Sequence, residues 1–378
     1  MTVRHRLAAL AAGAALGVLQ PLGAHAQTRV DLSGFASVVG GKVLGGSLHG
    51  NLPSNPDIRC PCYVADWANF GTYGPSATLR AETRAGMQAT VTFDPTFSAA
   101  AQVTARAVDG KAQLQWAYAT IALGSTWDLQ VGRKRIPLYH YSSFQDVGMA
   151  YPWVSPPPEL YGWEATNYNG FSLRNRSTWG DVYLNASVFA GSERVRDSRF
   201  MLAYGETRTD ARWQGIRGAD VELTKGILTV RAVYLQADTS FTDKNDTVND
   251  YSEDMRAYGL SANLDFNRWF VLTEVATNVR SNKTGYLAGV TLRIPAYSVG
   301  AGMRLGAWTP FINYAHYREK SSDLVLYAPY VYSHASMTLR YELSTTAAVK
   351  VQFDRLREPA DPFTGGAQVF RVAYDRVF

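Results

Sequence analysis

The charged residues on either side of a proline-rich stretch are the part of this 378-residue sequence best suited to act on a solute. Arg133 and Arg135 stand at the end of a predicted strand, and the segment 137–167 follows them. Five prolines in that segment exclude a helix or a central strand, so we interpret it as a long loop. The loop carries three acidic residues that could face the basic strand end: Asp146, Glu159 and Glu164.

Two arrangements of these charges are open. Opposite charges across a narrow aqueous gap would orient dipolar solutes and penalise apolar ones, which would make this a pore constriction. The same charges could instead form salt bridges that fix the loop to the wall, and both can hold for different pairs. Strict alternation places Arg133 and Arg135 on the face of Leu129 and Val131, so the constriction requires either a bulge at Gly132 or departure of the strand from the membrane band.

The elements that would position these residues are long strands with a period of two. From Ala77 to Val91 small or apolar residues alternate with Arg80, Arg84 and other polar residues, which indicates a strand. Such runs match the roughly 9–11 residues that a tilted strand needs to cross a membrane. The predicted strands are 30–43, 77–92, 97–108, 112–122, 127–136, 168–176, 181–190, 216–224, 227–237, 255–266, 269–279, 297–306, 311–318, 331–342, 345–355 and 367–378.

These strands predict an all-β fold, an antiparallel transmembrane β-barrel of about 16 strands with the loop 137–167 folded into its lumen. Charges on the lipid face would cost about 2–4 kcal/mol each near the midplane, so charged residues should line the lumen. The basic residues on the predicted lumen face are Arg80, Arg84, Arg106, Arg174, Arg176, Arg231, Arg304, Arg340, Lys350 and Arg371. We expect the first five of these to line the constriction together with Arg133 and Arg135. The acidic residues on the lumen face are Glu82, Asp220, Glu222, Glu274, Glu342, Asp354 and Asp375, which leaves a slight excess of positive charge.

Connection lengths give the orientation, because short turns belong to the periplasmic rim and long loops to the outside. The short connection 108–111 is an exception on the long-loop side. The segment 280–296 also alternates like a strand, yet a further spanning strand would make the count odd. We therefore assign 280–296 to a hairpin extension of a loop.

The first 26 residues combine Arg4 and Arg6 with an apolar run and an Ala-His-Ala ending, which predicts a secretory signal peptide cleaved before Gln27. A first transmembrane helix is the alternative, but the run is too short to span a bilayer. Residues 27–378 are then the barrel domain. Loss of two arginines lowers the formal net charge from +5 to +3, a balance that does not indicate nucleic-acid binding.

The stretch GRKRIPLYHYSSFQDVGMAYPWVSPPPELYGWE, from Gly132 to Glu164, resembles a family of proteobacterial outer-membrane porin-like proteins. The resemblance extends to VDLSGFASVVGGKVL, CPCYVADW and the terminal Phe378, and so over nearly all of the mature chain. It implies a pore in the outer membrane, surrounded by its lipid, with general-porin organisation and a homotrimer. Phe378 looks like the signal read by the barrel assembly machinery, although Arg376 departs from the usual apolar residue.

Two cysteines, Cys60 and Cys62, flank a proline in the first long loop. A disulfide between them is the expected state in an oxidising compartment. A metal site with His49 and Asp57, or pairing between subunits, remains an alternative, although two thiols alone are a weak zinc signal. No catalytic or phosphate-binding motif is present, so we expect no enzyme activity and no cofactor.

The sequence therefore predicts an outer-membrane porin, a passive diffusion channel for small hydrophilic solutes or ions. The alternative is a barrel without a channel, whose lumen is plugged by the loop 137–167. In that case the long loops, especially 44–76 and 191–215, would bind a surface partner.

Overall fold

The computed structural model describes residues 28–52, 55–203, 208–246, 248, 250–358 and 365–378. The predicted signal peptide, residues 1–26, lies outside the described residues, so the domain boundary at Gln27 stays a prediction.

Sixteen long antiparallel strands in these described ranges close into a barrel, as the sequence predicts. Four short strands, β2 to β5, form two hairpins in the first long loop, and β18 is a two-residue addition. The strands are β1 Arg29–Gly46, β2 Gly50–Leu52, β3 Asn55–Cys60, β4 Tyr63–Asp66, β5 Gly71–Tyr73, β6 Arg84–Thr92, β7 Phe97–Arg106, β8 Lys111–Leu123, β9 Trp127–Arg135, β10 Asn167–Trp179, β11 Val182–Val195, β12 Thr209–Lys225, β13 Leu228–Asp243, β14 Tyr251–Asp265, β15 Trp269–Thr284, β16 Thr291–Met303, β17 Trp308–Arg318, β18 Lys320–Ser321, β19 Val331–Ser344, β20 Ala347–Arg357 and β21 Ala367–Val377.

Helical structure is confined to loops. Two single 3-10 turns, Ser142–Phe144 and Gly148–Ala150, and the helix α1, Pro158–Tyr161, belong to the loop 137–167. The helix α2, Arg199–Ala203, lies in the loop between β11 and β12. Among the described residues, no helix has the length and apolar character that a membrane crossing requires.

The barrel is closed by its first strand. β1 pairs antiparallel with β21 on one side and with β6 on the other. The strands β9 and β10, which flank the loop 137–167, pair directly with each other, from Arg135 opposite Asn167. The loop therefore leaves the wall and returns without interrupting it.

Along the barrel strands, apolar side chains face outward and charged or polar side chains face the lumen. In β20, Val351 and Phe353 are exposed on the outside, whereas Lys350, Gln352 and Asp354 are buried inside. The outer face thus offers apolar side chains to lipid and the inner face carries the charges, which is the pattern of a transmembrane barrel.

The structure moves the bounds of several predicted strands: β12 begins at Thr209 rather than at 216, and β15 ends at Thr284 rather than at 279. The predicted strand 77–92 begins only at Arg84, because residues 77–83 fold over the end of β1, where Thr78 exchanges backbone hydrogen bonds with Gly41. The segment 280–296 does not form a separate spanning strand. Its ends extend β15 and β16, and residues 285–290 turn between them.

Candidate functional site in the barrel lumen

The loop 137–167 packs across the lumen through its aromatic side chains. Trp153 lies edge-on to Phe311 of β17, with ring centroids 5.0 Å apart, and Trp163 contacts Trp213 of β12 at 5.5 Å. Tyr141 packs at 5.5 Å from Trp153. The prolines prevent the loop from pairing with the strands, and the packing of these rings holds the loop inside the barrel.

Asp146 is the most strongly bonded acid of the loop. Its carboxylate accepts from Arg106 Nη2 at 2.7 Å and from Arg135 Nη2 at 2.6 Å. Arg84 lies 4.0 Å from the same carboxylate and donates to the backbone carbonyl of Asp146 at 2.8 Å. All four residues are buried. Side chains from three wall strands, β6, β7 and β9, thus converge on one loop residue.

The environment of Asp146 favours its charged form. Burial alone would raise the pKa of Asp146, but the guanidinium groups of Arg106, Arg135 and Arg84 outweigh it and hold that pKa well below its usual range. Asp146 is therefore an anion at every physiological pH.

The other two predicted loop acids also contact the wall directly. Glu159 lies 3.1 Å from His334 Nδ1, and the opposite ring nitrogen of His334 lies 2.9 Å from Asp354. Glu164 accepts two hydrogen bonds from Arg280 Nη2, at 2.9 and 3.0 Å. The structure therefore places all three acids in ion pairs with wall residues rather than across a water-filled gap.

Wall cations also bind the backbone of the loop. Because the loop is outside the ladder, its carbonyls need other partners, and three wall residues supply them. The bonds run from Arg231 to the carbonyls of Pro137 and Tyr139, both at 2.5 Å, from Arg340 to those of Met149 at 2.9 Å and Tyr151 at 3.1 Å, and from Lys350 to those of Gly148 at 2.6 Å and Trp153 at 2.5 Å.

Four basic residues predicted at the constriction have no bond or ion pair with the loop among the described contacts. Arg133 pairs instead with Glu193 at 2.5 Å. Arg174 and Arg176 both bind Asp128, and Arg80 is exposed in the segment 77–83. The alternation of the sequence does not separate these residues from Arg84 and Arg106, because it gives the face of a residue but not its height along the barrel.

Arg135 reaches the lumen at the point where β9 ends. Gly132 of the same strand has a φ of +139°, a conformation that glycine tolerates, and a Cβ there would lie 2.3 Å from the carbonyl oxygen of Ala117. The pairing of β9 with its neighbours nevertheless shows no bulge at Gly132, and Lys134 contacts Gln130 and Ser172 on the same face of the strand. Arg135 is the last residue of β9, and it binds Asp146 where the chain leaves the wall.

Sequence reasoning missed Arg280, Glu253 and His334. The predicted strand 269–279 ended one residue before Arg280, whereas β15 continues to Thr284. A signal was present, since Glu274, Ala276 and Arg280 share one face of the strand at intervals of two residues.

Two cavities lie on opposite sides of the loop. The outer vestibule, about 590 Å³, faces the long loops and is lined by Trp67, Glu159, Trp163, Arg280 and Glu319, among others. The inner cavity, about 400 Å³, faces the short turns and includes His140, Tyr151, Arg304, Arg340 and Glu342.

His140 belongs to the loop and borders the inner cavity. Burial, together with the nearby Arg231, lowers the pKa of His140 to about 4. Its ring is therefore neutral at pH 7, and Nε2 lies 3.0 Å from Asn263 Nδ2.

Cys60 and Cys62 are joined as a disulfide in the structure. The cysteines lie in a small apolar cluster of the first long loop that includes Leu52, Val64 and Phe70. Within the described part of the chain, no group of three or more His, Cys, Asp or Glu residues is arranged to hold a metal ion.

Comparisons with known proteins agree with this architecture. The profile of the family described as Gram-negative porin matches residues 7–368. No curated protein sequence matches the chain.

Three solved structures illustrate the similarity of the fold. An anion-selective porin from Comamonas acidovorans is 14% identical and superposes with a TM-score of 0.59, over 93% of this chain and 100% of that one. The outer membrane channel DcaP of Acinetobacter baumannii is 13% identical, with a TM-score of 0.59 over 95% and 100% of the two chains. OmpT of Vibrio cholerae, in a trimer form, is 11% identical, with a TM-score of 0.56 over 93% and 99%.

Proposed function

Because the chain belongs to the Gram-negative porin family, we propose that it is an outer-membrane channel for passive diffusion of small hydrophilic solutes. The family and the apolar outer surface of the barrel support the outer membrane as its location. No chemical step is assigned to the protein, since diffusion through a barrel requires none.

One observation carries the proposal: the loop 137–167 crosses the lumen between two cavities, of about 590 and 400 Å³. In this arrangement the loop narrows the water-filled path through the barrel, and a cavity remains on each side of the loop. A third, small pocket adjoins the inner cavity and is lined by Tyr141, Trp153, Tyr161 and Glu274, among others. Movements of these side chains would set the width of the path.

The charged constriction that we propose is not a basic wall facing an acidic loop across water. Arg84, Arg106 and Arg135 are committed to Asp146, so we assign them to positioning the loop rather than to contacting solutes. Charged pairs that line the two cavities are Arg280 with Glu253 above the loop, and Arg340 with Glu342 below it. Solutes would meet both signs of charge on each side.

We further propose that the protein is a homotrimer that the barrel assembly machinery inserts through its C-terminal strand. The similarity to OmpT, described in a trimer form, supports the first part. For the second part, Phe378 is exposed and pairs through its backbone with Gly34 of β1, which places it at the seam where the barrel closes.

Single-channel recording in planar bilayers tests the channel and the role of the loop together. The parent protein should conduct. Arg135→Ala should alter conductance, because Asp146 loses a 2.6 Å partner and the loop is loosened. Arg133→Ala is the matched control, since Arg133 binds Glu193, and it should conduct like the parent.

A parent protein that inserts into bilayers but never conducts would overturn the channel and favour the alternative, a plugged barrel that binds a surface partner through its loops. A conducting parent whose Arg135→Ala variant behaves like Arg133→Ala would overturn the positioning role of Arg135.

A further inference from the structure

The outer vestibule has a composition that diffusion alone does not require. Its floor is formed by Tyr139, Glu159 and Trp163 of the loop 137–167, and its walls are the upper ends of the barrel strands. Its volume of about 590 Å³ falls within the range of roughly 300–1,000 Å³ that small-molecule sites occupy.

Carboxylates dominate the charge of this cavity. One cation, Arg280, lies among its described lining residues, and Arg280 already pairs with Glu253 at 2.5 Å and with Glu164 at 2.9 Å. The lining carboxylates are Glu159, Asp243, Glu253, Glu319 and Glu358. The gaps between the described ranges, 53–54, 204–207, 247, 249 and 359–364, contain no Lys, Arg or His that could supply a further cation.

Three neutral hydrogen-bond donors hold the carboxylate of Glu319 in place. Its carboxylate accepts from the hydroxyls of Tyr317 at 2.6 Å and Tyr327 at 2.7 Å, and from the backbone N–H of Tyr330 at 2.9 Å. No Lys, Arg or His nitrogen of the described residues lies within salt-bridge distance of Glu319. Its charge is therefore fixed in place by neutral donors and is available to a cation in the cavity.

Glu159 adds a second carboxylate to the floor of the vestibule. Its side chain is buried and lies 3.1 Å from His334 Nδ1, and the other ring nitrogen of His334 lies 2.9 Å from Asp354. One imidazole therefore serves two carboxylates at this end of the cavity.

The rest of the lining is aromatic. The rings include Trp67, Trp163, Phe241, Tyr251, Tyr286 and Tyr332. The faces of aromatic rings attract cations, and Arg280 already lies over the ring of Trp163, 6.0 Å from its centroid. Carboxylates together with aromatic faces favour a solute that has a positive charge and a flat apolar part.

We propose that the outer vestibule binds organic ammonium ions that carry an aromatic ring, with Glu319 facing the charge and the surrounding rings packing against the apolar part. This assignment rests on the proposed diffusion function and names the class of solute that the channel would select. The basic residues of the wall do not oppose it, because Arg84, Arg106, Arg135, Arg231, Arg340, Lys350 and Arg371 are engaged by the loop and by lumen acids.

Binding can be measured without conduction, because Trp67 and Trp163 line the cavity and report on it by fluorescence. The detergent-solubilised protein is titrated with phenethylammonium, with neutral phenethyl alcohol and with anionic phenylacetate. The cation should bind most tightly. Glu319→Gln should weaken the binding of the cation about fivefold and leave that of the alcohol unchanged.

Two further variants allow the proposal to be tested even if Glu319→Gln fails to fold. Tyr286→Leu removes an exposed ring of the vestibule and should weaken the binding of the cation about two- to fivefold. Asp265→Asn is the matched control, since it makes the same carboxylate-to-amide change in the inner cavity, and it should bind the cation like the parent.

The same three probes are then added to planar bilayers containing the parent protein. A conducting parent that binds the three probes equally overturns the vestibule site and leaves the channel intact. The site is also overturned if Glu319→Gln and Tyr286→Leu bind the cation like the parent. A silent parent that still prefers the cation overturns the channel and leaves the binding site.

Discussion

Asp146 shows how a single carboxylate can fix a long loop. Two arginines bind it at 2.6 and 2.7 Å and a third lies 4.0 Å away, each on a different strand. The charges are buried, so each would be costly without its partners. Removing this anion would leave three buried cations close together without the carboxylate that they share.

We expect Asp146→Asn to destabilise the folded barrel by about 3–5 kcal/mol at pH 7, because it breaks buried ion pairs. The folded-state pKa of Asp146 lies below the unfolded value of about 3.9, so its contribution is complete above about pH 5 and is lost progressively as the pH falls further. Apparent melting temperatures in detergent from pH 7 to pH 3 would check this.

The difference in melting temperature between the parent and Asp146→Asn should therefore be constant from pH 7 to about pH 5 and shrink at the acid end. A difference that grows on acidification would contradict the ion pairs. Glu193→Gln is the control, since its partner Arg133 has no bond with the loop among the described contacts.

Cys60 and Cys62 give a prediction that depends on no other residue. We expect both thiols to be oxidised to one intramolecular disulfide in protein folded in an oxidising compartment, because they are joined in the structure. Maleimide labelling of the denatured protein should give no adduct before reduction and two afterwards, by mass spectrometry. Labelling before reduction, or a covalent dimer, would contradict the pairing.

At the scale of elements, the strands were predictable and the loop contacts were not. Every long strand was found from a period of two, because lipid on one side and charges on the other impose opposite preferences on adjacent residues. The period-two pattern is the same at every height along the barrel axis, so it did not distinguish Arg80 and Arg174 from Arg84. The partners of Asp146 depend on how the loop crosses the lumen, which periodicity does not encode.

Adjacent residues of one strand test the sorting of side chains. Met87 of β6 is exposed on the outer face, whereas Gln88 faces inward, within 3.5 Å of Gln102. We expect Met87→Arg to destabilise the barrel by about 2–4 kcal/mol, the cost of a charge against lipid near the midplane. Gln88→Arg, which adds the same charge on the lumen side, should cost much less.

Urea-induced unfolding in lipid vesicles, followed by tryptophan fluorescence, would compare the two variants. Equal losses for Met87→Arg and Gln88→Arg would show that the two faces of β6 do not contact different solvents.

At the scale of the whole molecule, one seam decides whether sixteen strands form a closed cylinder. β1 and β21 are far apart in the sequence and must meet, and their pairing removes the last open edge of the sheet. Gly46 and Gly45 lie side by side at the upper end of this seam, opposite Ala367 and Gln368. They offer a matched test of closure because their surroundings differ sharply.

A Cβ at Gly46 would lie 2.6 Å from the carbonyl oxygen of Gly366 and 2.7 Å from Pro61 Cβ, whereas a Cβ at Gly45 meets no atom within 4 Å. We therefore expect Gly46→Val to destabilise the seam by about 1–3 kcal/mol through overpacking against backbone, and Gly45→Val to be nearly neutral. The temperature at which the compact barrel converts to the unfolded form on a detergent gel measures both. If Gly46→Val converts at the same temperature as Gly45→Val, the pairing of β1 with β21 at this end is wrong.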